Sequence, residues 1–116
     1  MESFGTDDEG FAVGVSDVVR AVHVRVWGFW GPDTAGVFSK RVLDSYRQGY
    51  AMTVDATALK PLREVGESAF ETLMTALPRV GVQRVSVRVS SPLTRLQLIR
   101  IAKGCSIGSM IQFTSD

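Results

Sequence analysis

The order of hydrophobic and polar positions predicts strands that alternate with helices along nearly the whole chain. Valine alternating with polar residues is typical of half-buried strands, and apolar residues three and four positions apart are typical of helices. These patterns predict strands over 11–15, 18–27, 50–55, 84–89 and 107–113 and helices over 36–47, 65–77 and 92–103. The predicted order is β-β-α-β-α-β-α-β, which indicates an α/β protein with a mixed sheet.

Turn and capping residues mark the ends of the predicted helices. Asp33 or Thr34 is the expected cap of the first helix, and Gly49 follows its last predicted turn. Ser91 is the expected cap of the third helix, with Pro92 in its first turn.

In two predicted strands, apolar and polar residues alternate, whereas a strand buried on both faces would be apolar throughout. His23 and Arg25, and then Arg84 and Arg88, fall on the side opposite to the valines. We therefore expect a two-layer fold with helices mainly on one face of the sheet and a polar, basic surface on the other. That surface is a candidate oligomer face, because exposed sheets tend to find partners.

The chain has 116 residues, which is the usual size of one domain. Residues 1–10 are acidic and polar and are expected to be flexible, so that the predicted single domain covers 11–116. The N-terminus does not resemble a secretory signal, and no apolar run approaches the roughly 20 residues that span a bilayer. A single cysteine, Cys105, suits a reducing compartment. We expect a cytoplasmic protein with no membrane partner.

The chain offers few residues for catalysis or metal binding. It has one histidine and one cysteine, too few for a zinc site built from these ligands. His23 lies in an apolar strand pattern, and no nucleophile–base pair can be proposed. We therefore expect no enzymatic activity, no cofactor and no metal site.

Charge is distributed unevenly, although the net charge is only +1. Residues 1–10 hold four acids and no base, and residues 72–115 hold six bases and no acid. The basic part is either a solvated surface or a docking face for an acidic partner. A nucleic-acid partner is not expected, because the overall charge is near zero and no basic motif rich in aromatic residues appears.

Residues 52–77 predict a strand that ends at Asp55, a loop, and a helix that begins near Glu64. The first backbone N–H groups of a helix are unpaired and electropositive, so that such a junction often forms a working surface. Here the junction carries Arg63, Glu64 and Glu67, without a nucleophile or a glycine-rich phosphate cradle.

Three segments resemble the STAS family, the anti-sigma-factor antagonists and their relatives. Residues 22–34 (VHVRVWGFWGPDT) are similar to the family's second strand and the loop into its first helix, and residues 52–55 (MTVD) to its central strand. Residues 62–73 (LREVGESAFETL) lie where the family has its Asp-Ser-Ser/Thr-Gly signature and second helix. The resemblance covers about 11–113. It implies a protein–protein interaction module of bacterial signalling with an anti-sigma-factor kinase as partner.

The departure from that signature concerns the phosphoacceptor. Aligning Gly66 with the signature glycine puts Arg63, Glu64 and Val65 in the place of Asp-Ser-Ser/Thr. Glu64 then either stabilises the helix start or imitates part of the charge of a phosphate. Ser68 lies one turn further on and is not expected to replace the missing acceptor.

The resemblance thus implies a partner-binding region around the start of the second predicted helix. Its residues are Asp55, Arg63, Glu64, Val65, Gly66, Glu67 and Ser68. Asp55 is expected to brace the next loop, because no companion acids nearby in the sequence could hold Mg²⁺.

The aromatic residues Trp27, Phe29 and Trp30 either cover the core or form exposed anchors for a partner. A homo-oligomerising scaffold, with homodimer formation, and a small-ligand binder are the alternative functions.

Overall fold

The structure, a computed structural model, describes residues 1–115 and contains six strands and three helices. The strands are β1 (Glu2–Gly5), β2 (Gly10–Ser16), β3 (Ala21–Gly28), β4 (Ala51–Leu59), β5 (Val85–Val89) and β6 (Ile111–Thr114). The helices are α1 (Pro32–Ser45), α2 (Glu64–Ala76) and α3 (Pro92–Gly104). The predicted α/β class and alternating order are confirmed, and β1 is an additional first strand. Asp116, the last residue of the expected domain, lies outside the described residues.

The six strands follow one another across the sheet in chain order. β1, β2 and β3 pair antiparallel, whereas β3, β4, β5 and β6 pair parallel. Each of the three parallel connections contains one helix and moves one strand further in the same direction. Because such crossovers are right-handed, all three helices lie on the same face of the sheet. The predicted two-layer arrangement is therefore confirmed, and the opposite face is left open.

Each helix buries one stripe of residues against the sheet and turns the rest outward. In α3 the buried residues are Thr94, Leu98, Ile101 and Ala102. The three helices have 14, 13 and 13 residues. None of the helices formed by residues 1–115 combines the length and the apolar character that a bilayer crossing requires.

An aromatic cluster joins the sheet to the first two helices. The Trp30 ring stacks on Phe70 with centroids 5.2 Å apart and meets the Phe38 ring edge-on at 4.6 Å. Phe11 of β2 contacts both Trp30 and Phe38. The buried indole N–H of Trp30 donates to the Gly10 carbonyl oxygen at 3.0 Å, so that its polar group is satisfied inside the core.

The acidic N-terminal segment, in which the sequence predicts no element, forms β1 and supplies a cap for α1. The Glu9 carboxylate accepts hydrogen bonds from the Gly31 backbone N–H at 3.3 Å and from the Thr34 hydroxyl at 2.7 Å. A negative charge at the start of a helix is electrostatically favourable. The prediction of Asp33 or Thr34 as cap is wrong, because α1 begins at Pro32 and has no capping side chain of its own.

Gly28 allows the same segment to pass close to the end of β3. Its φ of +78° lies in the left-handed region, which side chains with a Cβ rarely adopt. A Cβ at this position would also collide with the carbonyl oxygen of Asp8. The glycine thus serves close backbone approach as well as the turn into the loop that follows.

We expect Trp30→Ala to lower the free energy of unfolding by about 3–5 kcal/mol, the usual cost of removing a large aromatic residue from a core. Urea denaturation followed by circular dichroism measures it. The neighbouring Phe29→Ala is the matched control, because Phe29 is 52% exposed, and we expect it to change stability by no more than about 0.5 kcal/mol. Equal effects of the two substitutions would contradict the assignment of Trp30 to the core.

Candidate functional site

The connection from β4 to α2 is fixed by side chains of α3. The Leu62 backbone N–H donates to Gln97 Oε1 at 2.8 Å, and Gln97 Nε2 donates to the Leu62 carbonyl oxygen at 3.0 Å. The buried Thr94 hydroxyl donates to the Leu59 carbonyl oxygen at 3.3 Å. The start of α2 is therefore held in one position relative to α3.

Sequence reasoning missed Gln97 and Thr94, because their partners lie 35 residues away along the chain. The available signal was the helical spacing of Thr94 from Leu98 and Ile101, which puts its hydroxyl on the buried side of the helix, where a polar group needs a partner. Gly66 has a related role. A Cβ there would lie 2.9 Å from a terminal carbon of Leu62, so glycine leaves room for that side chain to pack under the first turn.

Two glutamates occupy the first turn of α2 and differ in their contacts. Glu64 is the first residue of the helix and is exposed. Glu67 is half-buried, and its carboxylate pairs with the Arg100 guanidinium at 2.6 Å. Both negative charges lie at the electropositive end of the helix, where they stabilise it. Arg63 is the residue before the helix, and its side chain does not cap it.

Exposed apolar side chains flank these charges. Phe29 is 52% exposed and lies under Arg63, whose guanidinium carbon is 5.8 Å from the ring centroid. Val65 is 40% exposed and, with Pro32, borders a groove of about 400 Å³ between α1 and α2. We call Phe29, Arg63, Glu64 and Val65 the α2-start surface. It combines one aromatic, one aliphatic and two oppositely charged side chains, contributed by the loop before α1 and by the start of α2.

The three predicted loop aromatics point in different directions. Trp30 is 2% exposed and belongs to the core, so that of the two roles left open it covers the core and is not a surface anchor. Trp27 lies in β3 on the open face of the sheet, where its indole N–H donates to the Thr6 carbonyl oxygen at 2.8 Å and Arg25 stacks over its ring at 5.2 Å. Phe29 is the member of this group that joins the α2-start surface.

Asp55 is separated from the other residues of the predicted partner-binding region. The expectation that it ends its strand is wrong, because β4 continues to Leu59. Its side chain lies on the open face of the sheet, whereas α2 packs on the opposite face. The Asp55 carboxylate accepts hydrogen bonds from the Thr57 hydroxyl at 2.7 Å and the Thr57 backbone N–H at 3.1 Å. It therefore braces a bulge in β4, opposite the register shift between Arg25 and Trp27 in β3, rather than a loop.

The open sheet face carries rows of polar side chains that belong to neighbouring strands. Asp55 is opposite Arg25 on one side and Arg88 on the other. In the next row, His23 Nδ1 lies 2.6 Å from the Thr53 hydroxyl oxygen. The four residues of the predicted oligomer face are exposed or half-buried; they are His23, Arg25, Arg84 and Arg88. The expected polar and basic character of this face is present, with one carboxylate at its centre.

The environment of Asp55 favours its charged form. The hydrogen bond from the Thr57 hydroxyl holds the pKa of the Asp55 carboxyl below its usual value of 3.8. Partial burial opposes this shift, and the positive charges of Arg88 and Arg25 lower the pKa further.

Neither metal-ligand geometry nor comparison with known proteins assigns a function to these surfaces. Within residues 1–115, no group of three or more His, Cys, Asp or Glu side chains is placed to hold a metal ion. No family model matches the chain, and no curated protein matches its sequence at a significant level. The resemblance to the STAS family stays a prediction from the residues and their order.

We expect Asp55 to make stability depend on acid pH. A carboxyl whose pKa is lower in the folded than in the unfolded protein stabilises the fold above its unfolded pKa, and this contribution is lost as pH falls through the folded pKa. Between about pH 6 and about pH 2.5, the free energy of unfolding should therefore fall more steeply for the wild type than for Asp55→Asn. Urea denaturation at several pH values measures this difference. Asp7→Asn, at an exposed N-terminal position, controls for the loss of one negative charge. A parallel pH dependence of the wild type and Asp55→Asn would contradict the prediction.

Proposed function

We propose that this protein is a non-enzymatic protein–protein interaction module of a bacterial signalling or partner-switching system. It acts in the cytoplasm and binds its partner, an anti-sigma-factor kinase or a related signalling protein, through the α2-start surface. The carrying observation is the exposed Phe29 ring stacked with Arg63, next to Val65, on a connection that Gln97 and Thr94 fix.

Two physical arguments support binding at this surface. Aromatic and arginine side chains are enriched among the residues that carry most of the binding energy in protein interfaces. A surface that is ordered before binding loses less conformational entropy when the complex forms. Phe29 and Arg63 meet the first condition, and the hydrogen bonds between Leu62 and Gln97 meet the second.

Glu64 supports an interaction that needs no phosphorylation. Under the resemblance it occupies the phosphoacceptor position, and its carboxylate is exposed at the electropositive start of α2. A carboxylate carries one negative charge, compared with about 1.5 to 2 for a phosphate at neutral pH, so the imitation is partial. We infer that the surface binds its partner constitutively, with a permanent charge in place of a switch.

The open sheet face is a weaker candidate for a self-association surface. A second copy stacked on it would bring Arg25, Arg84 and Arg88 close to the same arginines, with Asp55 as the compensating charge on each copy. Like charges placed opposite one another disfavour such a complex. The face suits an acidic partner better than it suits a copy of itself.

We expect Phe29→Ala to weaken binding to an anti-sigma-factor kinase from the source organism by about fivefold or more, because truncation of an aromatic anchor costs about 1 kcal/mol or more. Isothermal titration calorimetry measures the affinity. Val18→Ala is the matched control, because Val18 is 94% exposed in the turn between β2 and β3, at the opposite end of the sheet. Equal affinities of the Phe29 variant and the wild type would contradict the assignment of the site.

We expect the wild type to remain free of phosphate at residues 63–66 after incubation with that kinase and ATP. Glu64→Ser restores a hydroxyl at the position of the phosphoacceptor and should become phosphorylated there. Peptide mass spectrometry locates the modification, and Glu64→Ala controls for the loss of the carboxylate. Phosphate on Ser68 of the wild type would show that the site still switches and would overturn the constitutive model.

A further inference from the structure

Two neighbouring surface helices carry opposite charges. The acids of α2 and the bases of α3 are Glu64, Glu67 and Glu71, and Arg95, Arg100 and Lys103, respectively. Neither helix contains a residue of the other sign. The helical side of the molecule therefore has an acidic ridge beside a basic one.

A groove of about 480 Å³ separates the two ridges. Small residues, among them Ser68 and Gly104, keep it open, and the ion pair between Glu67 and Arg100 spans it. Both helices run from the carboxyl ends of parallel strands towards their amino ends, so that they are parallel to each other. We call position along their common axis direction the height of a residue. The Glu67–Arg100 pair thus shows which residues of α2 and α3 lie at the same height.

Glu71 and Lys103 lie at nearly the same height along this groove. At about 1.5 Å per residue, Glu71 is about 6 Å below Glu67, and Lys103 is about 4.5 Å below Arg100. The Cys105 thiol, which donates to the Glu71 carbonyl oxygen at 3.6 Å, supports the same alignment. Within residues 1–115, neither the Glu71 carboxylate nor the Lys103 ammonium has an ion-pair partner. An acid and a base at one height are therefore both available to another molecule.

We infer that this surface binds a second copy of the chain in a two-fold symmetric dimer. A two-fold axis parallel to the helices places α2 of one copy against α3 of the other and preserves the height of each residue. Glu71 of each copy then faces Lys103 of the other, twice per dimer. An axis perpendicular to the helices would instead place α2 against α2, with glutamates facing glutamates. The charges therefore favour the dimer whose two-fold axis is parallel to the helices.

Exposed leucines supply an apolar contribution to the same surface. Leu93 and Leu96 lie three residues apart on α3 and are 56% and 65% exposed. Leu96 and Leu93 precede Lys103 by seven and ten residues, and so they lie about two and about three turns above the Glu71–Lys103 pairs. In the parallel arrangement they face the start of α2 and the connection before it in the other copy. An apolar patch bordered by complementary charges is the usual composition of an interface between subunits.

The proposed dimer leaves the apolar part of the α2-start surface free. Val65 lines the groove between α1 and α2, which lies on the other side of α2 from α3. Phe29 lies in the loop before α1, and its ring contact is with Arg63. Glu64 borders both surfaces. Partner binding depends on Phe29, and dimer formation on Glu71 and Lys103, so that one property can fail without the other.

Charge reversal provides the test, with molecular mass measured by sedimentation equilibrium up to about 1 mM protein, a range that covers weak association. We expect the wild type to form a dimer that weakens in high salt, because salt screens exposed charges. Glu71→Lys and Lys103→Glu each place like charges opposite one another twice, and each should raise the dissociation constant by about tenfold or more. An equimolar mixture of the two variants restores both attractive pairs and should form a heterodimer.

Arg84→Glu is the matched control, because it reverses a charge on the open sheet face and should leave the dimer intact. Circular dichroism of the three variants checks that these exposed substitutions leave the fold unchanged. The inference is overturned if the wild type is a monomer throughout the concentration range or if the two variants fail to associate when mixed. It is also overturned if Arg84→Glu dissociates the dimer, since that result would place the interface on the sheet.

Discussion

The handedness of the three strand–helix–strand connections is the constraint on which the architecture depends. Right-handed crossovers that always advance in the same direction place every helix on one face of the sheet. The same constraint gathers the loops after β3, β4 and β5 at the carboxyl ends of these strands, so that Phe29 and Arg63, more than 30 residues apart in the chain, come into contact. The α2-start surface and the open sheet face are both consequences of this winding.

The antiparallel end of the sheet is completed by contacts that no local pattern specifies. Trp30 links the first strands to α1 and α2 through stacked rings and a buried hydrogen bond to Gly10. Glu9 supplies a cap for α1 that the helix does not contain. The acidic N-terminal segment therefore contributes to the fold, although its composition is typical of flexible termini.

Two kinds of charged surface follow from the two layers. On the open sheet face, the three neighbouring strands β3, β4 and β5 bring Arg25, Asp55 and Arg88 into one row, in which the carboxylate is braced by Thr57 and flanked by positive charge. On the helical side, α2 and α3 segregate acids from bases on adjacent ridges. Segregated opposite charges are self-complementary under a two-fold axis, whereas a surface with an excess of one sign is not. This difference supports the proposal of self-association through the helices, and it makes an acidic partner more favourable than a second copy at the sheet face.

The sequence by itself determined the α/β class, the alternation of strands and helices, and the polar character of one sheet face. Those features depend on the spacing of neighbouring residues, because strand and helix periodicities are local. Tertiary structure alone decided that β4 continues past Asp55, that Trp30 is buried while Phe29 is exposed, and that Glu9 caps α1. Each of these depends on a partner distant in the chain: the register of β3 against β4, the aromatic rings of two helices, and the path of the N-terminal segment. Spacing along the sequence carries no information about such partners. Individual residues of the candidate site could therefore be predicted from the sequence, but not which of them lie in contact.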